Sequence, residues 1–310
     1  MENRPSSEEK IMAVIAHLSA FAFGMGMGIP AVFWAEQRKK SRYAAFQALQ
    51  AYGYQSLGYT LWMLVYLAIA VVMLIFFVVA AALSGSTPNP DAPDTLLMVW
   101  MFAFLTAVFG LFGLYFLFPV IGCIACALGK DFKYPLLGSR LAKYLGYDFA
   151  NPEQEIDAIH EEQFAAAMGH FTVIIFLWGL FAPLALWLTS GKESLFLRIQ
   201  SAQTVIYQAV GSLAYLVVSV LATVMFIPLY AGVLLADNNM TGDGINTLTL
   251  VLFLIGMCLF GLITLFVPLY HILGQWAGLR TLQGHEYRYP LIGRLAEKWF
   301  SRSQPSSSAQ

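Results

Sequence analysis

Arg42-Tyr-Ala-Ala-Phe-Gln-Ala-Leu-Gln-Ala-Tyr-Gly-Tyr-Gln-Ser-Leu-Gly58 is the most informative stretch of this chain. Gln47, Gln50, Tyr54 and Gly58 are spaced 3, 4 and 4 residues apart, which puts them on one face of a helix. The rest of that helix is apolar and runs on without a charge. A polar stripe in such surroundings needs partners, because an unsatisfied amide in hydrocarbon costs several kcal/mol. Two readings follow: interhelical hydrogen bonding, worth about 0.6–2 kcal/mol per contact, or a hydrated groove for a polypeptide or lipid headgroup.

The stripe recurs. A shift of 153 residues aligns 8–58 with 161–211 without a gap, giving about fifteen identities. Gln200, Gln203, Tyr207 and Gly211 repeat the face, and Glu8/Glu161, Glu9/Glu162, His17/His170, Pro30/Pro183 and Trp34/Trp187 also match. A second block closes each half: Phe132-Lys-Tyr-Pro-Leu-Leu-Gly138 and Tyr287-Arg-Tyr-Pro-Leu-Ile-Gly293, followed by Arg-Leu-Ala at Arg140 and Arg294. The chain divides into a membrane repeat at 1–147, an acidic cytoplasmic linker at 148–162, a second repeat at 163–301 and a disordered polar tail at 302–310. The linker holds six acids and no Lys or Arg.

Composition sets the class. Of 310 residues, 59% are hydrophobic and 11% charged, where soluble domains carry about 25% charged residues. An integral membrane protein is implied, and disordered chains, disulfide scaffolds and nucleic-acid binders are excluded. The 17 Lys and Arg avoid 43–129 and 199–279 entirely, and each gap holds two spans and a turn. Two hairpins are expected, at about 57–83/95–128 and 209–236/247–279, with outer turns carrying Asp91 and Asp94, then Asp237 and Asp243.

Two further apolar segments, 11–35 and 164–189, are broken at Gly24–Pro30 and Trp178–Pro183. If both crossed, the basic residues would divide 9 to 8; if both dip and return, 17 to 0. The positive-inside rule selects re-entrant segments with both termini cytoplasmic. The expected fold is all-α: two tandem repeats, each with a broken segment, an amphipathic helix and a transmembrane hairpin, set parallel about an axis along the membrane normal. The first ten residues carry three Glu and no basic cluster, unlike a secretory or transit leader, so the expected place is a bacterial inner membrane.

Chemistry is not visible. There is no G-x-S-x-G, H-E-x-x-H or P-loop, and no acid pair in the membrane core. Cys123 and Cys126 lack neighbouring His or carboxylate ligands and read as packing residues. His17 and His170 lack a second haem ligand and are expected to bond backbone carbonyls; His271 reads as local packing. No metal or cofactor is expected, and the partners expected are membrane lipids and other membrane proteins. Tyr134, Pro135, Arg140, Tyr289, Pro290 and Arg294 are expected as interface anchors, with Tyr at headgroup level, Pro in a first helical turn and Arg facing anionic lipid.

Ser41-Arg-Tyr-Ala-Ala-Phe-Gln-Ala-Leu-Gln-Ala51 and Phe132-Lys-Tyr-Pro-Leu136 resemble the small polytopic Tic subunit of the chloroplast inner-envelope protein translocon. Closer still are its bacterial relatives, which share an early Ala-His-Leu-Ser (Ala16 to Ser19), a Pro followed by Trp, and a closing Tyr-Arg-Tyr-Pro-Leu (Tyr287 to Leu291). The resemblance implies preprotein import and four helices per unit. The function expected is a non-enzymatic membrane protein that scaffolds, inserts or translocates other membrane components. Its alternatives are a lipid or small-molecule transporter using the inter-repeat groove, and an accessory subunit of a respiratory or photosynthetic complex. A transporter would carry mid-membrane charges for coupling, and none are visible.

The charge division fixes a topology that thiol labelling checks. With the native Cys replaced, cysteines at Ser86 and Thr241 should react with an impermeant reagent from outside, and those at Ser41, Glu153 and Ser303 should not. Labelling at 303 with 41 protected would require an odd number of crossings per half.

Overall fold

A computed structural model describes residues 4–83, 95–151, 154–237, 247–290 and 292–301. The expected outer turns, with Asp91, Asp94 and Asp243, and the tail at 302–310 lie outside the described residues, which contain helices and turns and no strand.

Each repeat opens with a helix too short to cross a membrane. α1 (Ser7–Leu18) and α6 (Ala158–Phe171) have 12 and 14 residues, or about 18–21 Å at 1.5 Å per residue against a core of about 30 Å. Ser6 and Glu9 close a reciprocal capping box on α1, and the Asp157 carboxylate accepts from the amides of Ile159 and His160 on α6. A tight 3₁₀ turn follows each helix, at Ser19–Met27 and Thr172–Ile175. The chain then reverses into α2 (Gly28–Gln37), or through the single turn α7 (Phe176–Gly179) into α8 (Phe181–Ser190).

The reversal is strained in the same way twice. Phe23 sits at φ 50° and Phe176 at φ 43°, a region that L side chains rarely enter, and the two are 153 residues apart. The break therefore lies just before the Gly–Pro stretches read as the interruptions. Pro30 and Pro183 fall inside the first turns of α2 and α8, where no amide donor is needed. Ser41 hydrogen-bonds the Glu9 carboxylate, and Ser194 Oγ donates to Glu162 Oε2 at 2.6 Å. The end of each broken segment thus returns to the level of its start. Five stretches of the described residues are long and apolar enough to cross a membrane; Ser7–Gln37 is broken at Phe23, and the other four are continuous helices.

Those four belong to α3 (Arg42–Leu83), α4 (Thr95–Ala127), α9 (Leu195–Asp237) and α10 (Thr247–Leu282). The polar-striped segment is the start of α3 and α9 rather than a separate amphipathic helix. Two amphipathic helices do exist, α5 (Leu137–Leu145) and α11 (Ile292–Ser301), after the Tyr-Pro-Leu blocks. α3 buries its first turns, Phe46, Leu49 and Tyr52 among them, then exposes large apolar side chains from Leu61 to Val79. The buried part belongs to a common base, and the exposed part is the lipid-facing hairpin. Aromatic rings bridge α3 to α4, with Phe76 and Trp100 at 3.8 Å and Tyr66 and Phe104 at 6.0 Å. α9 and α10 are bridged by Phe226 and Phe253 at 5.8 Å and also approach at Gly256, where an added Cβ would meet that of Met225 at 3.2 Å.

One core serves both repeats, packing Trp34, Phe46, Leu49 and Tyr52 with Phe164, Met168, Leu186 and Leu197. α2 packs on α8, its own counterpart, and Gly28 meets Phe181, the residue aligned with it. Such self-matched contact places the pseudo-twofold axis between them. The linker is shorter than its acidity suggested. Its last five residues, 158–162, belong to α6, and Glu161 is 3% exposed rather than solvated.

Candidate functional site

The polar stripes of α3 and α9 each enter a closed hydrogen-bond network. In the first repeat His17 Nε2 lies 3.1 Å from Gln47 Oε1, and His17 Nδ1 lies 2.8 Å from the Tyr134 hydroxyl. Gln47 Oε1 also accepts from Gln50 Nε2 at 2.7 Å, so both groups facing it donate. Nε2 of His17 therefore donates toward Gln47, and Nδ1 faces the Tyr134 hydroxyl. Gln47 Nε2 donates to Asp131 Oδ1 and the Phe132 carbonyl, and Gln50 Nε2 to the same carbonyl at 2.6 Å. The Tyr134 amide returns a bond to Gln50 Oε1 at 3.1 Å. Tyr54 stacks on Tyr134 at 4.1 Å and donates to the Tyr115 carbonyl at 2.7 Å.

The second repeat builds the same object. His170 joins Gln200 Oε1 and the Tyr289 hydroxyl, both at 3.0 Å. Gln203 Nε2 donates to Gln200 Oε1 at 2.7 Å and to the Tyr287 carbonyl at 2.6 Å. Tyr207 stacks on Tyr289 at 3.9 Å and donates to the Tyr270 carbonyl at 2.8 Å. Below each network, Gln55 reaches Ala16 O and Ser19 Oγ, while Gln208 reaches Gly169 O and Thr172 Oγ1. Each lock pins the broken segment and the Tyr-Pro-Leu loop onto the base of a long helix. Gly58 and Gly211 end the stripes where the rings of Tyr115 and Tyr270 press against the helix.

Several expectations change. The two His bond side chains rather than backbone carbonyls. Tyr134 and Tyr289 are 2% and 1% exposed, so they are lock members and not headgroup anchors. The reason is that Gln47, Gln50 and His17 need more donors and acceptors than their own helices offer. Pro135 and Pro290 are exposed, and Pro135 lies just before α5, which begins at Leu137, rather than in its first turn. Arg140 and Arg294 are exposed. Cys126 is buried with its thiol 3.6 Å from Gln47 Oε1, and Cys258 is exposed. His271 is half-buried beside Phe176. Among the described residues no three His, Cys, Asp or Glu cluster as metal ligands would.

Sequence reasoning missed two acids. Asp131 accepts from Gln47 and from the Tyr147 hydroxyl at 3.2 Å, and burial raises its carboxyl pKa although Lys133 stands 3.7 Å away. Glu161 lies at the junction of the repeats, at the start of α6 and outside the spans. Trp34 Nε1 donates to it at 3.2 Å, while Arg38 pairs with Glu162 at 2.6 Å and Lys39 with Glu193 at 2.9 Å. Burial pushes Glu161 up to about 7 against the lowering pull of Trp34 and Arg38. The identities Trp34/Trp187 and Glu8/Glu161 were the available signal, masked by the acidity around Glu161.

The duplicated lock coincides with a duplicated family match. The magnetosome magnetite crystal formation family, MamF/MmsF, matches residues 8–141 and again residues 161–296. The chain belongs to this family. It is therefore a multi-pass membrane protein of a family involved in magnetite crystal formation, carrying the family unit twice. That membership corrects the Tic resemblance, which rested on short motifs at Ala16–Ser19, Ser41–Ala51, Phe132–Leu136 and Tyr287–Leu291, and preprotein import falls with it. No curated protein and no solved structure matches the chain.

Two outcomes follow. Gln50→Leu with Gln203→Leu strands the Tyr134 and Tyr289 amides and takes one of two donors from the Phe132 and Tyr287 carbonyls, and thermal unfolding in detergent should show a loss of roughly 1–3 kcal/mol. Unchanged melting would mean that the stripes are incidental. Glu161 has a folded pKa above its ordinary 4.5, so its contribution is full below about pH 4.5 and is lost as pH rises through about 7. The wild type should melt lower at about pH 8 than at about pH 5, by up to about 3 kcal/mol, and Glu161→Gln should flatten that slope.

Proposed function

We propose that this chain is a non-enzymatic scaffold of the magnetosome membrane, with both termini cytoplasmic and the two hairpins crossing to the side where the crystal grows. The observation that carries this reading is the closed state of the locks. His17, His170, Gln47, Gln50, Gln200 and Gln203 are all engaged in internal bonds, which suits a rigid support. Rigidity at the base holds the described parts of the two hairpins at a fixed separation. The expectation of a bacterial inner membrane narrows in this reading to the magnetosome membrane.

A transporter reading finds less support. The groove between α2 and α8 holds about 530 Å³, but Met25, Ile29, Val32, Phe181, Leu184 and Leu188 make it almost wholly apolar. An ion or polar solute needs ligands along its path, and this groove supplies essentially none.

Deleting the gene in its own cells should alter crystal size or habit in electron micrographs while total cell iron stays normal. Gln50→Leu/Gln203→Leu should restore crystals only in proportion to its abundance in the membrane. A deletion that lowers iron content and leaves crystal habit unchanged would replace the scaffold by transport.

A further inference from the structure

A second cleft, under α5, has no part in the lock. It holds about 500 Å³ and is walled by Leu57 of α3, Leu137 and Leu141 of α5, Phe164 of α6 and Leu282 of α10, so both repeats close it. That volume is within the range of small-molecule sites. Gly53 backs two of these walls: a Cβ there would stand 2.6 Å from Phe164 Cζ and 3.3 Å from Leu137 Cδ2, so its glycine lets α6 come close.

Two side chains supply the polar part, Arg140 and Tyr144. The Tyr144 hydroxyl is engaged with Gln163 Oε1 at 3.1 Å and the Leu282 carbonyl at 3.2 Å. Arg140 is exposed and forms no ion pair among the described residues. Its place is peculiar to the first repeat. Ser139 separates it from Gly138, whereas Arg294 follows Gly293 directly. One extra residue turns the side chain about 100° around the helix, and in α5 that turn brings the arginine to the cleft.

The surroundings are those of a bilayer surface. Leu136, beside the cleft, is 76% exposed at φ 64°, an apolar side chain held outward by a backbone that non-glycine residues rarely adopt. Lys130, Lys133, Arg140 and Lys143 lie within one short stretch, and no acid lines the cleft. We propose that the cleft holds one acyl chain of an anionic phospholipid whose phosphate pairs with Arg140. The apolar walls select a chain, and the lone guanidinium among lysines selects the charge of the headgroup.

Native mass spectrometry of the full-length protein in mild detergent tests this, with phosphatidylglycerol and phosphatidylcholine of equal chain length as probes. One phosphatidylglycerol should be retained, with phosphatidylcholine bound roughly fivefold more weakly or worse. Arg140→Gln should reduce phosphatidylglycerol to the phosphatidylcholine level, and Arg294→Gln should leave it unchanged. Leu137→Trp, which fills the cleft, should abolish retention of both; if that variant does not fold, the two arginine variants decide. Equal losses in the Arg140 and Arg294 variants would reduce the effect to general surface charge and overturn the proposal. So would equal retention of both lipids, or a dimer that Leu137→Trp dissociates, which would give the cleft to a second copy of the chain.

Discussion

An amide or imidazole with no partner in an apolar surround costs several kcal/mol, and the base of this protein buries His17, His170 and the four glutamines of the paired stripes. That constraint organises the rest. No single helix can satisfy Gln47 and Gln50, because their own helix uses its carbonyls internally. The Tyr-Pro-Leu loop therefore comes in to give the Phe132 carbonyl and the Tyr134 amide. α1 comes in to give His17. Once three elements are tied at one point, the broken segment has to turn back, and Phe23 takes up the strained turn that lets it do so.

Duplication preserved this object and changed its margins. Asp131, which completes the first lock, is replaced by Glu286, which pairs only distantly with Arg288 at 3.8 Å. Thr204 stands where the first repeat has Ala51 and lies 2.8 Å from His170 Nδ1. Arg38 and Lys39 of the first repeat reach acids of the second, so the charged contacts across the junction are not the same on its two sides. A chain that carries the magnetosome family unit twice can thus keep the same support in each half and vary what lies at the edges. Within the scaffold reading, the hairpins are held by the locks, and differences in the margins set what each half meets.

The division between hairpin and base also explains how the helices pack. Above the base the only bonds available between spans are close contacts of small residues and aromatic interlocking, since lipid offers no hydrophobic drive for association. The first hairpin uses rings, Phe76 on Trp100 and Tyr66 on Phe104; the second adds to the ring pair of Phe226 and Phe253 a close approach at Gly256.

The sequence by itself determined the class and the duplication, because charge exclusion and a 153-residue repeat are properties of the chain and need no partner to be read. It also marked Gln47, Gln50, Tyr54 and their counterparts as residues that must find something polar. What they find was decided only by tertiary structure. Tyr134 has the composition of a headgroup anchor and is buried, because its hydroxyl meets His17 once α4 returns the chain to the base. Glu161 sits in an acidic run that reads as solvated, and folding presses it against Trp34 from the other repeat. Hydrophobic patterning records which face of a helix is buried. It carries no record of which distant loop supplies the missing hydrogen bond, since that depends on where the chain comes back in space.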